Sequence, residues 1–574
     1  MRHWGLAASV ALGAALGLSL GLRSWPVDPE RVRRDLDPAL GALEAPTQAF
    51  LTLLPRPTLR ITDVKWRAAD GAFGVQAIAA ELTLRFGPLL GGVLSPLGLT
   101  LKDADVRVDL DHARAPLRTL AGPPLARLVM QGGTVEVGAS RHGWKTHFAV
   151  ANGRLDWSSI QGPLRAAATG RWRGQAVDAS WELDRPLDAA RGETSAIRVA
   201  IDAPLTQLRI SGDWSPDGRL DGALYRGQMS ALIPSLARFA RWLGREPPTP
   251  RAPAGLELAA RVSADLHQLK LAEVNLSLGG QAFEGALDFV RSPAKLAVSG
   301  TLAAEALELE PLIGPPPDLV GASGDWSSAP VLPGPGHWLD LDLRVSAARA
   351  IWRGHAIENP AAAVSLREGR FGLKLLDAGL AHGALTGEFS TEDKQGVCES
   401  KLALALENAD LGVLLADFGE RNFSGQGGLK VSLRAHGRSP AEIVASADGD
   451  AALEISDGAL RTLNFEEALR RVKRKPIDVS RDMAAGSTRF GQAHGRVEIS
   501  DGEARFVDAT TQAPGLVLTV TGAVDLMNRA WRAGVSARQS SPDGQPTPEG
   551  AHLDFALIGP WTGPILTPLL PPSN

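Results

Sequence analysis

The sequence predicts a mainly β fold, in which a long, antiparallel, repetitive sheet forms a groove or an open, taco-like sheet. An N-terminal transmembrane helix and a few short amphipathic helices complete it. Three observations predict this fold: apolar and polar residues alternate in short runs, turn dipeptides recur between the runs, and few stretches show helical spacing. A period of two residues is typical of strands with one apolar and one wet face.

The alternating runs recur from the beginning of the chain to its end. Between them lie turn dipeptides, which are typical of hairpins and therefore indicate antiparallel neighbours. The clearest runs are 82–86, 99–101, 341–345, 402–406, 429–433 and 516–520, and the turn dipeptides are Asp70-Gly71, Asp217-Gly218, Asp448-Gly449, Asp457-Gly458 and Asp501-Gly502.

Helical spacing appears in three places. A short helix is expected around residues 30–43, a second over Met229–Leu243 and a third over Phe465–Val472, each with apolar residues three or four positions apart. Three short helices are too few to cover a sheet built from most of the chain.

Composition restricts the classes of function. The chain has 574 residues, a formal net charge of -4 and one cysteine, Cys398. This charge gives no global positive field for nucleic acid, so no nucleic-acid partner is expected. A single cysteine excludes an intramolecular disulfide and a zinc site built from several thiolates.

The amino-terminal segment predicts a membrane anchor. Residues 6–22 carry no charge and lie between Trp4 and Trp25, a length that can cross a hydrocarbon core of about 30 Å. A cleaved signal peptide is the alternative, but the small residues around Ser19 still lie inside the apolar run. The arginines that follow the run would by themselves place the carboxyl side in the cytoplasm.

Proline-rich stretches at 246–253 and 311–336 predict soft boundaries between sheet segments. The expected organisation is an anchor over 1–26, an N-terminal β region over 27–245 and a middle β segment over 246–325. A C-terminal domain over 326–540 and a Pro-rich tail over 541–574 follow.

No catalytic constellation stands out. Gly17-Leu18-Ser19-Leu20-Gly21 matches a nucleophile elbow but lies in the apolar run, and Ser292-Pro293-Ala294-Lys295 reads as a turn. The histidines are scattered, without a metal-binding pattern. We therefore expect a protein that is not an enzyme and that has no catalytic residue, metal or cofactor.

The apolar faces of the strands need a cover, and either each other or an apolar ligand can supply it. A sandwich, a closed barrel and a groove that holds acyl chains all remain possible. On the groove interpretation, the lipid-facing residues are Leu82, Leu84, Phe86, Leu99, Leu101, Leu341, Leu343, Val345, Leu402, Leu404, Leu406, Leu429, Val431, Leu433, Leu516, Leu518 and Val520.

One dense basic run follows the third predicted helix. It consists of Arg470, Arg471, Lys473, Arg474 and Lys475. These residues could contact anionic head groups, each at about 1 kcal/mol near such a surface. A solvated helix end, favoured by the helix dipole, explains the run equally well.

The order of several elements resembles the AsmA family of the AsmA/TamB superfamily. Trp326-Ser327 precedes the run at 339–343, Phe423 to Gly428 leads into the run at 429–433, and Thr488-Arg489-Phe490 comes before the closing Gly522 to Leu526. At the amino end, Phe86-Gly87-Pro88-Leu89-Leu90 is similar to the opening of the family. The family's Gly-hydrophobic-Asp element is replaced here by Arg461 to Phe465.

This resemblance implies a bacterial inner-membrane anchor and a β-rich body in the periplasm, and it decides the orientation against the charge bias. It also implies roles in outer-membrane assembly and phospholipid movement. The expected partners are phospholipid or another membrane lipid, the inner membrane and outer-membrane assembly components. The alternative function is an assembly factor or regulator of outer-membrane protein targeting that acts through strand edges without lipid transfer.

Overall fold

A computed structural model gives the fold of the chain. It describes residues 19–40, 44, 46–67, 73–109, 125–139, 144–159, 161–216, 222–244, 255–292, 295–313, 319–320, 325–330, 339–352, 354–394, 397–417, 423–461, 464–472, 486–541, 547, 551–560 and 565–569. Most of these residues lie in strands, so the predicted mainly β class is confirmed.

The strands follow one another closely and the helices between them are short. The strands are β1 (Trp25–Pro26), β2 (Gln48–Thr52), β3 (Thr58–Arg67), β4 (Phe73–Leu84), β5 (Pro96–Asp109), β6 (Arg127–Ala139), β7 (Trp144–Asp156), β8 (Leu164–Trp172), β9 (Gln175–Leu183), β10 (Ser195–Ala203), β11 (Thr206–Trp214), β12 (Tyr225–Ile233), β13 (Leu256–Ala264), β14 (Gln268–Leu278), β15 (Gln281–Arg291), β16 (Leu296–Glu308), β17 (Leu339–Trp352), β18 (His355–Arg367), β19 (Arg370–Leu380), β20 (Gly383–Lys394), β21 (Val397–Asp410), β22 (Phe423–His436), β23 (Asp448–Leu460), β24 (Thr488–Ser500), β25 (Glu503–Ala513), β26 (Leu516–Asp525), β27 (Ala530–Gln539), β28 (His552–Pro560) and β29 (Ile565–Leu569). The helices are α1 (Pro29–Leu40), α2 (Phe86–Leu90), α3 (Pro186–Ala190), α4 (Leu236–Trp242), α5 (Leu309–Ile313), α6 (Leu411–Asp417), α7 (Pro440–Ala445) and α8 (Phe465–Val472).

The chain divides into two compact units. Unit 1 comprises Met1–Pro247 and Ala254–Leu276, and unit 2 comprises Pro248–Pro253 and Ser277–Asn574. In unit 1, each strand from β1 to β12 pairs with the next one along the chain, as in β3 with β4 and β10 with β11. All of these pairs are antiparallel except β5 with β6. Strand β14 crosses the boundary between the units.

Unit 2 repeats this order. Each strand from β15 to β28 pairs with its successor, and only β16 with β17 is parallel. The predicted repetitive antiparallel sheet is thus confirmed, with one parallel step in each unit that the sequence did not predict. Residues 541–574, expected as a Pro-rich tail, contribute β28 and β29.

Helices cover part of the apolar face in each unit. In unit 1, Val32 and Leu36 of α1 are fully buried and pack with Leu59, Ile61 and Leu82 of β3 and β4. In unit 2, Phe465 and Leu469 of α8 pack with Leu516, Leu553 and Phe555 of β26 and β28. A further helix of unit 2, α6, packs Leu411 against Leu406 and Ala409 of β21.

Many strands bend at a left-handed residue in their interior. The backbone φ is +56° at Asp63, +48° at Asp103 and +55° at Asn408, and aspartate and asparagine tolerate this conformation better than most residues do. The bend breaks the alternation, so the apolar residues on either side of it face the same core. The pairs that flank these bends and are both buried are Ile61 with Val64, Leu101 with Ala104, and Leu406 with Ala409.

Several local predictions need correction. Asp501-Gly502 forms the expected hairpin turn, with φ of +47° and +72°. Asp457-Gly458 lies inside β23 instead, where Asp457 is a bend of the kind just described. Asp448-Gly449 begins the same strand, and Asp70-Gly71 and Asp217-Gly218 lie outside the described residues.

The helix predictions are correct for α1 and α8 but wrong for part of 229–243. Met229 to Ile233 belong to β12, because Met229 alternates with polar neighbours and pairs with Ile210 and Ala260 on both sides. The helix begins only after Ser235, whose side chain accepts a hydrogen bond from the Arg238 amide at 3.4 Å. Phe86, predicted at the end of a strand, begins helix α2 instead.

Within the described residues, no helix combines the length and the apolar composition needed to cross a bilayer. Most of the predicted anchor, residues 1–18, lies outside the described part of the chain. Its last described turn, residues 19–22, is helical, but Trp25 and Pro26 form β1 and pair with Leu51 and Phe50. The Pro-rich stretch at 246–253 also lies outside the described residues.

Candidate functional site

Unit 2 carries continuous rows of apolar side chains on one face of its sheet. In one row, Leu343 pairs with Val364, which in turn pairs with Leu373. The row continues through Phe389, Leu402 and Leu433. Because directly paired residues lie on the same face of a sheet, these side chains form one apolar stripe across six strands. A parallel stripe contains Val345, Ala362, Leu375, Leu404 and Val431.

These stripes are only half covered. Leu343, Val345, Leu402 and Val431 are of intermediate exposure and Leu373 is 38% exposed, whereas Leu516 beneath α8 is 1% exposed. Strands β17 to β22 therefore keep an apolar surface that the described residues do not seal.

The opposite face of the same strands is charged. Arg370 of β19 and Glu392 of β20 form an ion pair at 2.7 Å, and Lys394 pairs with Glu399 of β21 at 2.8 Å. The Arg370 hydrogen bond holds the pKa of the Glu392 carboxyl below its ordinary value, and Lys394 does the same for Glu399. Both acids stay ionised at neutral pH, so the sheet is distinctly amphipathic.

Unit 1 has a second uncovered apolar stretch. Across β8 to β12, Ala166 pairs with Trp181, Trp181 with Val199, Val199 with Ile210, and Ile210 with Met229. Trp181 is 38% exposed, and the other four are of intermediate exposure. The reverse face carries ion pairs such as Arg165 with Glu182 at 2.9 Å and Arg209 with Asp202 at 2.7 Å.

Helix α4 closes one margin of this stretch. The Trp242 ring meets the Trp172 ring edge to face, with centroids 4.8 Å apart, and its indole nitrogen donates to the Trp172 carbonyl at 3.0 Å. Arg173 donates to the Trp242 carbonyl at 3.3 Å. The helix is thus fixed at the end of β8, and it leaves the row through Trp181 uncovered.

The structure divides the predicted lipid-facing residues into three groups. The half-covered group consists of Leu341, Leu343, Val345, Leu402, Leu404, Leu429, Val431, Leu433 and Val520. Most of this group lies on the open face, but Leu429 packs against the core of Leu406, Ala409 and Leu411, and Val520 lies on β26, outside the open strands. The buried group lies in closed cores and consists of Leu82, Leu84, Leu99, Leu101, Leu406, Leu516 and Leu518. Phe86 belongs to neither group, because it is exposed on helix α2.

Sequence reasoning missed the unit 1 row through Trp181, Val199 and Ile210. The alternation of Leu208-Arg209-Ile210 with polar residues was available as a signal, but many positions in β8 to β10 are alanine and the apolar contrast is weak there. The predicted basic contact cannot be placed: Lys473, Arg474 and Lys475 lie outside the described residues, and so do the side chains of Arg470 and Arg471.

Chemically, the rows offer mainly methyl and methylene groups, together with the aromatic rings of Phe389 and Trp181. Among the described side chains, no cluster of three or more His, Cys, Asp or Glu residues could hold a metal ion. Such a surface can bind apolar chains by burial alone.

The fold and the open faces together define a class of protein: its β-sheet strands have one apolar and one charged face, and helices cover only parts of the apolar face. Residues 322–509 match the AsmA family, about a third of the chain. The match confirms the predicted resemblance, and this region is an AsmA family domain. It contains β17 to β24 and therefore most of the open face of unit 2. No curated protein and no solved structure matches the chain.

Proposed function

We propose that this chain is a bacterial inner-membrane protein whose periplasmic body binds phospholipid along its open apolar faces and passes it onward during outer-membrane biogenesis. It has no catalytic role in this proposal. Membership of the matched region in the AsmA family fits a role in outer-membrane biogenesis. The partners are phospholipid, the inner membrane and components of outer-membrane assembly.

The single observation that carries the proposal is the half-covered stripe through Leu343, Leu402 and Leu433 on a face opposite to ion pairs. Covering such a residue completely gains on the order of 1 kcal/mol. Many residues share this gain, so acyl chains could occupy the stripe without any fixed polar contact. Head groups would stay in water.

Two neighbouring residues of β17 provide a test position and its matched control. Leu343 lies on the apolar face and Arg344 on the wet face of the same strand. A photoreactive benzoylphenylalanine at position 343 should crosslink phospholipid in cells, detected by mass spectrometry of the purified protein. The same group at 344 should not. The pair Val199 and Arg198 tests unit 1 in the same way.

A charged residue placed on the apolar face tests whether that face binds phospholipid. Leu343→Asp should remove most of the bound phospholipid while circular dichroism shows an intact sheet, and Arg344→Asp should keep it. If position 343 crosslinks no more lipid than 344, and Leu343→Asp retains its lipid, the proposal is wrong.

One observation favours the second candidate, an assembly factor that adds strands. Strand β29 pairs only with β28 among the described strands, and it exposes Ile565 and Leu569. Such an edge can receive a strand from another protein. Ile565→Lys with Leu569→Lys should then alter outer-membrane protein levels and leave bound phospholipid unchanged, whereas lipid transport predicts no effect on either.

A further inference from the structure

One edge of the first strands in unit 1 carries an exposed apolar loop. The segment from Phe86 to Val93 has no charged or polar side chain and contains helix α2. Leu90 is 77% exposed, and Phe86 and Val93 are also more than half exposed. Leu89 and Leu94 pack into the core beneath them. Leu89 and Leu94 therefore hold the loop in place, while Phe86, Leu90 and Val93 face solvent.

The same edge holds the end of the amino-terminal apolar segment. The amides of Leu53 and Leu54, at the end of β2, donate to the Gly21 carbonyl at 3.0 and 2.8 Å. The Leu84 amide, at the end of β4, donates to the Pro57 carbonyl at 2.8 Å. The turn after β2 and the loop after β4 thus lie side by side, next to the residue where the uncharged segment 6–22 ends.

The charges at this edge are mainly positive. Arg56 and Arg85 are exposed in the two turns, and residues 53–57 and 85–97 contain no acidic residue. Arg31 of α1 donates to the Gly92 carbonyl at 3.0 Å and also lies 3.7 Å from Asp35. Exposed apolar side chains flanked by arginines match the interface of an anionic bilayer, where apolar groups are buried and cations meet head groups.

We infer that this edge is a docking surface for an anionic phospholipid bilayer, with Phe86, Leu90 and Val93 immersed at the level of the head groups and first methylenes. Contact through this surface fixes the distance between the first strands of unit 1 and the membrane. This inference rests on the proposed membrane location, but it does not require lipid on the open apolar faces. A second copy of the chain is the competing occupant.

Depth-dependent quenching in the full chain tests the inference. A polarity-sensitive fluorophore is attached to Leu90→Cys, and the protein is reconstituted in vesicles of phosphatidylethanolamine and phosphatidylglycerol that contain nitroxide-labelled phospholipid. Native Cys398 is buried, so labelling of the unmodified chain gives the background. The label at 90 should shift to the blue and be quenched severalfold.

Leu266→Cys supplies the matched control. Leu266 is apolar, 66% exposed and follows β13, which lies eight strands beyond β5 in the same unit, or about 38 Å at 4.8 Å per strand. A label there should remain in water. Equal quenching at 90 and 266, whether strong or weak, contradicts the inference.

Two further measurements separate the alternatives. Arg56→Glu with Arg85→Glu should reduce quenching of the label at 90 at least twofold in these anionic vesicles. Excimer emission from a pyrene label at 90, without nitroxide quenching, would instead identify a second copy as the occupant and overturn the inference. Crosslinking at Leu343 is an independent readout, so failure of the lipid-binding proposal is distinguishable from failure of this one.

Discussion

Glu81 of β4 connects three strands on the wet face of unit 1. Its carboxylate lies 2.9 Å from the Lys102 ammonium on β5 and 2.8 Å from the Arg60 guanidinium on β3. The hydrogen bond from Lys102 holds the pKa of Glu81 below its ordinary value of 4.5, against the opposing effect of burial. The charged form is therefore favoured more in the folded chain than in the unfolded one.

This lowered pKa predicts a defined acid sensitivity. The stabilisation is fully present above pH 4.5 and is lost as pH falls through the folded pKa of Glu81. Glu81→Gln should destabilise unit 1 by about 0.5–1 kcal/mol at pH 7 and by less at pH 3. Urea unfolding at both values measures this. Glu257→Gln, an exposed carboxylate of β13 with no ion pair among the described residues, should show no such difference.

Asn408 shows how a single residue shapes a strand. Its φ of +55° lets Leu406 and Ala409 face the same core although they are three residues apart. Asn408→Gly should be close to neutral, because glycine adopts this φ freely, and Asn408→Val should cost about 1–2 kcal/mol. Thermal unfolding of the two variants checks this order, and the reverse order would exclude strain at this bend.

For a single residue, the sequence predicts on which face of the sheet the side chain lies, but only as far as the next left-handed bend in the strand. Leu402 and Leu404 were correctly predicted to share a face with Leu433, because strict alternation determines their side. The bends at Asp103 and Asn408 were not predicted. Their signal, an acidic residue or asparagine between apolar residues three apart, resembles ordinary polar positions of a strand.

Helix α8 acts as a closing element. Phe465 is 3% exposed, and its ring meets Phe555 of β28 with centroids 5.8 Å apart. Its amide donates to the Thr488 hydroxyl of β24 at 3.0 Å. The helix thus joins two separate strands of unit 2 and buries the apolar face between them.

Removing the Phe465 ring should open this end of the face. Phe465→Ala should cost about 3 kcal/mol, since a buried phenylalanine leaves a cavity that neighbouring groups fill poorly. Hydrogen exchange of the β26 and β28 amides should accelerate accordingly. Phe86→Ala, which removes an exposed ring from α2, should leave these amides unchanged. Equal acceleration in both variants would exclude a closing role for α8.

The positions of helices α1 and α8 along the chain were predictable from apolar spacing, but the strands they cover were not. Which strands a helix covers depends on where the loops bring that helix back onto the sheet, and the local sequence does not encode this. For this reason, Leu82 and Leu516 have the same alternating pattern as Leu343, yet α1 and α8 seal them while Leu343 stays half covered.

Each unit as a whole combines a sealed end with an open stretch. In unit 1 the strands under α1 contain fully buried residues such as Leu59 and Leu82, whereas the row through Trp181 and Val199 is open. Local stability follows buried apolar contacts. Amides of β3 and β4 should therefore exchange at least tenfold more slowly than those of β9 to β11 in the lipid-free protein.

Phospholipid should change this pattern selectively. A ligand that binds only the folded state slows exchange where it covers the protein, so added lipid should protect β9 to β11 in unit 1 and β17 to β22 in unit 2. The sealed strands β3, β4, β26 and β28 have little left to gain and should exchange as before. Hydrogen exchange with mass spectrometry, with and without phospholipid, measures both sets at once. If protection rose uniformly, or only at β29, lipid would not be occupying the open faces, and the strand-adding function would be favoured.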